Sequence, residues 1–413
     1  MLRTLVFLVH NSVMNSLDGI RILDLSRVLA GPWCTQTLAD LGADVIKVEK
    51  PGLGDDTRGW GPPFLTDAQG KDTTDAAYYL STNRNKRSIT CDIAKPQGQA
   101  LMRELVAHCD VFIENFKVGD MARYGLDAPS LLALNPRLVY CSVTGFGQTG
   151  PYRERAGYDY AVQGMGGLMS VTGDTDSGPF RAGLAVADLS AGLYCALGIL
   201  AALHEREVSG RGQWVHSSLL HSQIAMMDFQ VARYINDGNV PVQEGNNHPT
   251  SSPMGLFTAS DGSFNLGASG QGNWKRLCEL LAKPEWLADP EFSTEALRVA
   301  HRPRLNALLN QAFSTDTVHH WVERLNQVGV PAGPVYTVPQ VMQDPQVQHL
   351  GVTETLDTPH GPKHYITQAV TLTRTPAEVR THAPGWGEHT DAVLSELGYS
   401  AADIAQFRAQ GVV

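Results

Sequence analysis

A strand–helix–strand alternation that begins near the amino terminus and then repeats limits the fold more than any other feature. Residues 20–25 (IRILDL) read as a short buried strand. Residues 30–41 read as a helix opened by Gly31-Pro32, and Asp44–Glu49 (DVIKVE) as a second strand. Such a unit in about 30 residues has the length of a parallel βαβ crossover. The pattern recurs as a helix over 96–107, a strand over 111–114, a helix over 128–134 and a strand over 138–144. Alternation of this kind predicts an α/β fold, a Rossmann-like parallel sheet with helices on both faces.

Beyond the alternation, a helix is predicted over 189–206. It carries Ala191, Gly192, Ala196, Gly198, Ala201 and Ala202, small side chains that suit close packing against another element. Residues 238–252 are rich in Gly, Pro, Asn and Ser and read as a linker or active-site loop. A hairpin follows over 255–267, then helices to about residue 327. Strands return from 338, and helices close the chain at 391–397 and 401–410. The predicted organisation is a large domain (14–225 plus 335–413) and a smaller α+β domain (235–327), which 413 residues accommodate. Residues 1–13 read as a disordered extension from a start codon placed upstream. Their apolar run, 5–9, is short and no small-residue cleavage site follows it. No other apolar run reads as long enough to span a bilayer.

The charge balance removes one class of partner. Lys and Arg number 32 against 42 Asp and Glu and are scattered, whereas a nucleic-acid surface needs a basic stripe. Two or three local cations still suffice for a phosphorylated small molecule. The six cysteines form no C-x-x-C pair, and with the histidines they show no zinc-ligand spacing, so no metal is expected. They read as reduced thiols in a cytosolic protein. No G-x-S-x-G elbow or Ser-His-Asp set is present, which excludes ordinary serine hydrolase chemistry.

Three groups of residues suggest chemistry. Gly145-Phe-Gly-Gln-Thr-Gly150 fits G-x-G-x-x-G after a strand, but Pro151 and Arg153-Glu154-Arg155 follow where a pyrophosphate-binding helix should open. The loop reads instead as one that lets a ligand approach the backbone. Asp188 is the only charge between Arg181 and His204 and is read as lying immediately before a helix. On sequence alone it reads first as a helix cap, a role compatible with that of a carboxylate nucleophile held ionised by the helix dipole and N–H donors. Arg58, the run Asn83-Arg84-Asn85-Lys86-Arg87, and Asn115, Phe116 and Arg123 fall near strand ends, where parallel sheets bind ligands.

Taken together, Leu17-Asp-Gly-Ile-Arg-Ile-Leu-Asp-Leu-Ser-Arg-Val-Leu-Ala-Gly-Pro32, Leu41–Glu49, Asn83–Ser88, Glu114-Asn-Phe116, Gly145–Pro151, Asp188 and Gly387-Glu-His-Thr390 resemble class III CoA-transferases, the CaiB/BaiF family. The resemblance covers residues 14–413. It implies an interlocked ring homodimer and coenzyme A carried as an acyl-CoA substrate, with no ATP, metal or permanently bound cofactor. It makes Asp188 the catalytic aspartate, which passes through a mixed anhydride to an aspartyl-CoA thioester. CoA contacts are implied at Val28, Ala30, Lys50, Cys91, Asn115, Phe116 and Arg123. The stretches 54–64 and 79–84 look closest to succinyl-CoA:glutarate and related dicarboxylate transferases. A distal carboxylate would then need a cation, expected among Arg27, Arg58 and Arg84. Itaconate is a second candidate acceptor. Arg27 and Leu29 stand where formyl-CoA transferases carry His and Gln, which weakens oxalate and formate as substrates. The alternatives are an α-methylacyl-CoA racemase of the same family and a non-catalytic CoA-binding protein. Racemisation needs a second acid-base group, and Tyr158 stands where racemases carry His; a phenol is a poor base near neutral pH.

Overall fold

A computed structural model of the chain describes residues 15–67 and 69–413; the expected extension over 1–13 lies outside the described residues. The chain divides into two compact units. The larger comprises the residues up to Gly167, Ala182–Phe229 and Gly351–Val413; the smaller comprises Leu168–Arg181 and Gln230–Leu350. The smaller unit thus takes in 168–181 and runs on to Leu350, beyond the 235–327 expected.

The larger unit is built on six strands in the spatial order Trp214–Ser218, Val139–Thr144, Val111–Glu114, Arg21–Asp24, Asp44–Glu49 and Lys86–Thr90, with every neighbouring pair parallel. In chain order this is 6-5-4-1-2-3, a doubly wound sheet. Its topological switch lies between Arg21–Asp24 and Val111–Glu114. Side chains alternate between the faces, and both faces are apolar. Ile22, Val45, Ile113 and Cys141 join one core with Ala187, Ala191 and Ile199. Leu23, Ile46, Phe112 and Tyr140 join the other with Leu101, Leu105 and Leu394. A strand buried on both faces must read as a continuous apolar run. Trp214–Ser218 escaped that criterion: it is an edge strand with exposed and half-buried residues in alternation.

The helix Val186–Ser209 is longer at both ends than its sequence suggested. It is long and apolar enough, by length and composition, to cross a membrane, contrary to the expectation that no such run exists. Here Ala187, Ala191, Cys195 and Ile199 bury one side of it in the first core. Its small residues serve the approach of the helix Ala30–Asp40: a Cβ on Gly192 would stand 2.6 Å from the Ala30 carbonyl oxygen and 3.0 Å from the Trp33 side chain. Gly192→Val is therefore expected to lower stability by about 1–3 kcal/mol, the usual range for overpacking. Chemical denaturation would register this as a lower midpoint at unchanged slope.

The smaller unit holds an antiparallel sheet, Met254–Thr258, Ser263–Gly267 and Ala332–Pro334, with the expected hairpin as its first two strands. Helices Gln271–Leu280, Arg302–Phe313 and Val318–Gln327 cover it, around a core of Phe257, Phe264, Trp274, Phe313 and Trp321. After residue 338 come two helices, Val338–Gln343 and Pro345–Leu350, rather than strands. A capping box between Thr337 and Gln340 starts the first of them. The strands Thr353–Leu356 and Lys363–Ile366 follow only then.

Candidate active site

The loops leaving the two switch-point strands are tied to each other. The Arg27 backbone N–H donates to Asn115 Oδ1 at 3.0 Å, and Asn115 Nδ2 donates to the Arg27 carbonyl at 2.6 Å. Glu114 accepts the Phe116 N–H at 2.8 Å and so fixes the turn that presents Asn115 and Phe116. Val28 is held at φ +72°, a left-handed conformation unusual for a β-branched residue and worth about 1–3 kcal/mol of strain. Its N–H donates to Asp55 at 3.3 Å. These loops separate two cavities that share Arg27 and Phe116. One, of about 270 Å³, is lined by Val28, Ala30, Asn115, Arg153, Arg155, Tyr158 and Asp188. The other, of about 400 Å³, is lined by Lys50, Leu53, Cys91 and Tyr124. A larger cavity of about 620 Å³ contains none of these residues. Two of its guanidinium groups are already engaged, Arg87 with Asp44 and Glu396, and Arg380 with the Ala39 carbonyl.

Asp188 lies in the first turn of Val186–Ser209 and not before it. Ala185 is the cap residue, and no side chain caps this helix end from that position. The capping that the sequence offered to Asp188 falls to Asp159, which accepts the Ala187 N–H at 2.8 Å and a Gln163 amide hydrogen at 2.6 Å. The Asp188 carboxylate has no hydrogen-bond or ion-pair partner among the described residues. Burial, and then the charge of Asp159, push its pKa up to about 7, the opposite of the depression expected for a carboxylate at a helix N-terminus. Tyr78 stands within reach of the same field: burial, then Asp188 and Asp159, raise its phenol.

The glycine loop works differently from its sequence reading. A Cβ on Gly145 would lie 2.6 Å from Gly157 Cα. The missing side chain thus admits not a ligand but the backbone of the 156–159 stretch, which sets Tyr158 and Asp159 beside Asp188. Among the expected CoA contacts, Val28, Ala30, Asn115 and Phe116 line the first cavity, and Lys50, Cys91 and Phe116 the second. Arg123 lines neither; it is exposed and pairs with Asp120 at 3.3 Å.

Of the three arginines expected to meet a distal carboxylate, the structure brings only Arg27 to the cavity. Arg58 is buried, with Nε and Nη2 on the two Glu49 oxygens at 2.8 and 2.7 Å and Nη1 on Asp75 at 2.8 Å. Arg84 is likewise buried against both oxygens of Asp40 at 3.0 and 2.5 Å. A guanidinium satisfied by an internal carboxylate has no fork left for a substrate. Arg153 and Arg155, in contrast, do line the cavity, although their sequence context was only that of a polar loop. No local signal points to them; the Gly145–Gly157 contact brings them in.

A doubly wound sheet whose switch-point crevice opens on an unpartnered carboxylate among guanidinium groups defines an α/β enzyme for anionic substrates. The chain belongs to CoA-transferase family III, whose profile matches residues 17–390. It is similar to the succinate–glutarate CoA-transferase of Agrobacterium fabrum, 45% identical over 92% of this chain and 95% of that one. It is also similar to the human succinyl-CoA:glutarate CoA-transferase, 38% identical over 96% of this chain and 90% of that one. A crystal structure of a CAIB/BAIF family protein from Brucella suis, 42% identical, superposes with a TM-score of 0.83 over 93% of this chain and all of that one. The enzyme is a CoA-transferase, with CoA thioesters and carboxylic acids as its substrates.

Proposed function

We propose that the enzyme moves CoA from succinyl-CoA to a dicarboxylic acid such as glutarate or itaconate, with Asp188 as the carrier. The observation that carries this reading is Asp188 itself, a carboxylate with no hydrogen-bond or ion-pair partner among the described residues, lining the switch-point cavity. Its carboxylate attacks the thioester carbonyl; the C–S bond breaks, leaving a mixed anhydride and CoA thiolate. The thiolate attacks the aspartyl carbonyl, forming an aspartyl-CoA thioester and releasing succinate. The acceptor carboxylate then attacks that thioester, giving a second anhydride and thiolate. The thiolate attacks the acceptor's acyl carbon, and Asp188 leaves as carboxylate. No bond energy is lost, so no ATP is consumed. The second cavity, with Lys50 and Phe116, is suited to the nucleotide end of CoA. Incubation of the enzyme and succinyl-CoA with glutarate, itaconate, malate, mesaconate or oxalate is expected to yield a new dicarboxyl-CoA ester. Absence of any such ester with all five acids would falsify the proposal.

The raised pKa of Asp188 gives this reading a pH dependence. The nucleophile is the ionised form, present above a pKa of about 7. The kcat/KM for succinyl-CoA is therefore expected to be flat in alkaline solution and to fall about tenfold per pH unit below neutrality. Asp159→Asn removes the second cause of the raised pKa and should move the inflection to lower pH. A profile in which the two enzymes coincide would contradict the assignment.

A second copy of the chain completes the proposed assembly, an interlocked homodimer. In the larger unit Leu184, Leu193, Leu197 and Met226 expose about half or more of their surface, and an apolar face of this kind suits a partner. Light scattering is expected to give twice the chain mass of 44.8 kDa. The six unpaired, buried cysteines suit a reducing, cytosolic site of action.

A further inference from the structure

We infer that Arg155 is the specificity-determining residue for the acid, binding the distal carboxylate of the dicarboxylic substrate while the proximal one reacts at Asp188. The inference rests on the function proposed above and deepens it. Three guanidinium groups line the Asp188 cavity. Arg27 is paired with Asp56 at 3.2 Å, and Arg153 with Glu154 at 3.2 Å. Arg155 has no carboxylate partner among the described residues, and its side chain makes no hydrogen bond there. It is nonetheless held in place. Its Cζ lies 3.8 Å from the centroid of the Tyr152 ring, and that ring packs edge-on against Phe146 at 5.8 Å.

Stacking of this kind fixes the plane of a guanidinium while leaving its N–H donors, which point outward in that plane, unused. The result is a preorganised fork in the cavity that holds the reacting carboxylate. A second carboxylate on the substrate can occupy it through two parallel charge-assisted hydrogen bonds. Lys117 also lines the cavity and has no ion-pair partner among the described residues, but an ammonium is a point charge and offers no such fork. In a carrier mechanism, donor and acceptor acids occupy the same acyl site in turn, so the contact should act on both half-reactions.

The test compares substrates that differ only in the distal group: glutarate against pentanoate as acceptor, and succinyl-CoA against butyryl-CoA as donor. In Arg155→Gln, the ratio of kcat/KM for glutarate over pentanoate is expected to fall about 10- to 100-fold, the weight of a charge-assisted bidentate contact. The succinyl-CoA to butyryl-CoA ratio should fall likewise, while calorimetric binding of free CoA stays unchanged. Arg155→Lys should recover only part of the loss. Equal loss with both members of each pair, weaker binding of free CoA, or no loss at all would overturn the inference. So would the same selective loss in Lys117→Gln. None of these results bears on whether wild-type enzyme transfers CoA to dicarboxylic acids, which its own assay decides.

Discussion

Asp188→Asn is expected to lower transfer by about 10⁴-fold or more and, at the same time, to make the protein more stable at pH 8. The first effect follows from the covalent catalysis proposed for Asp188, because an amide of nearly the same shape supplies no nucleophile, and positioning alone leaves only a small residue of rate. The second follows from the site's electrostatics. Free aspartate ionises near 3.8, whereas Asp188 is raised to about 7 by burial and then by Asp159. Below pH 3.8 the group is neutral in folded and unfolded chains alike, and it costs nothing. As pH rises towards 7, the unfolded chain ionises while the folded one resists, so the penalty grows, and above 7 it is constant. At pH 8 removing the carboxylate is worth a few kcal/mol, because each tenfold gain in proton affinity on folding costs about 1.4 kcal/mol once the group is ionised. The stability gain should vanish in acid. An inactive variant with unchanged stability at pH 8 would mean that Asp188 is not desolvated. An active variant would remove it from the chemistry altogether.

What the sequence made legible follows from which forces are local. Strands such as Asp44–Glu49 and Val111–Glu114 are buried on both faces, so their composition alone marks them. Helix Pro96–Ala107 begins at its proline and closes where its apolar spacing ends. Local signals failed where the partner is distant in the chain. Arg58 and Arg84 look like free cations among turn residues, because nothing adjacent reveals that Glu49 and Asp40 will neutralise them. Asp188 looks like a cap depressed by its helix, because the Asp159 carboxylate that actually accepts the helix N–H comes from another element. Family resemblance pointed to Asp188 as the proposed nucleophile but not to its ionisation, which depends on burial. It also left Arg155 in a loop of no assigned role.

Arg58 yields the second large effect, on folding and not on substrate selection. Its guanidinium is bidentate to Glu49, bonded to Asp75, hydrogen-bonded to the Pro384 carbonyl at 3.1 Å and stacked on Tyr79 at 3.7 Å. Burial works against the charge, but the Glu49 contacts outweigh it and hold Arg58 above its ordinary pKa. Burial likewise pushes Glu49 up, and the hydrogen bonds and charge of Arg58, with the Lys47 charge and the Ser88 hydroxyl, together more than reverse the push. Arg58→Ala leaves a buried, ionised Glu49 without its bidentate partner and with only the more distant Lys47 charge, which costs about 3–5 kcal/mol. The sign of the pH dependence is fixed by Glu49. Its folded pKa lies below the unfolded value, so the pair's contribution is full above the unfolded pKa and is lost as pH falls through the folded one. The gap between wild type and variant should therefore be widest near neutrality and narrow in acid, where Glu49 can accept a proton. Arg58→Lys should rescue little, since an ammonium cannot bridge both Glu49 oxygens and Asp75 in one plane. Urea denaturation across pH measures the gap, and steady-state assays on the folded fraction should find the KM for glutarate close to wild type. A variant as stable as wild type, with a raised KM for glutarate alone, would return Arg58 to the acid-binding role that its sequence suggested.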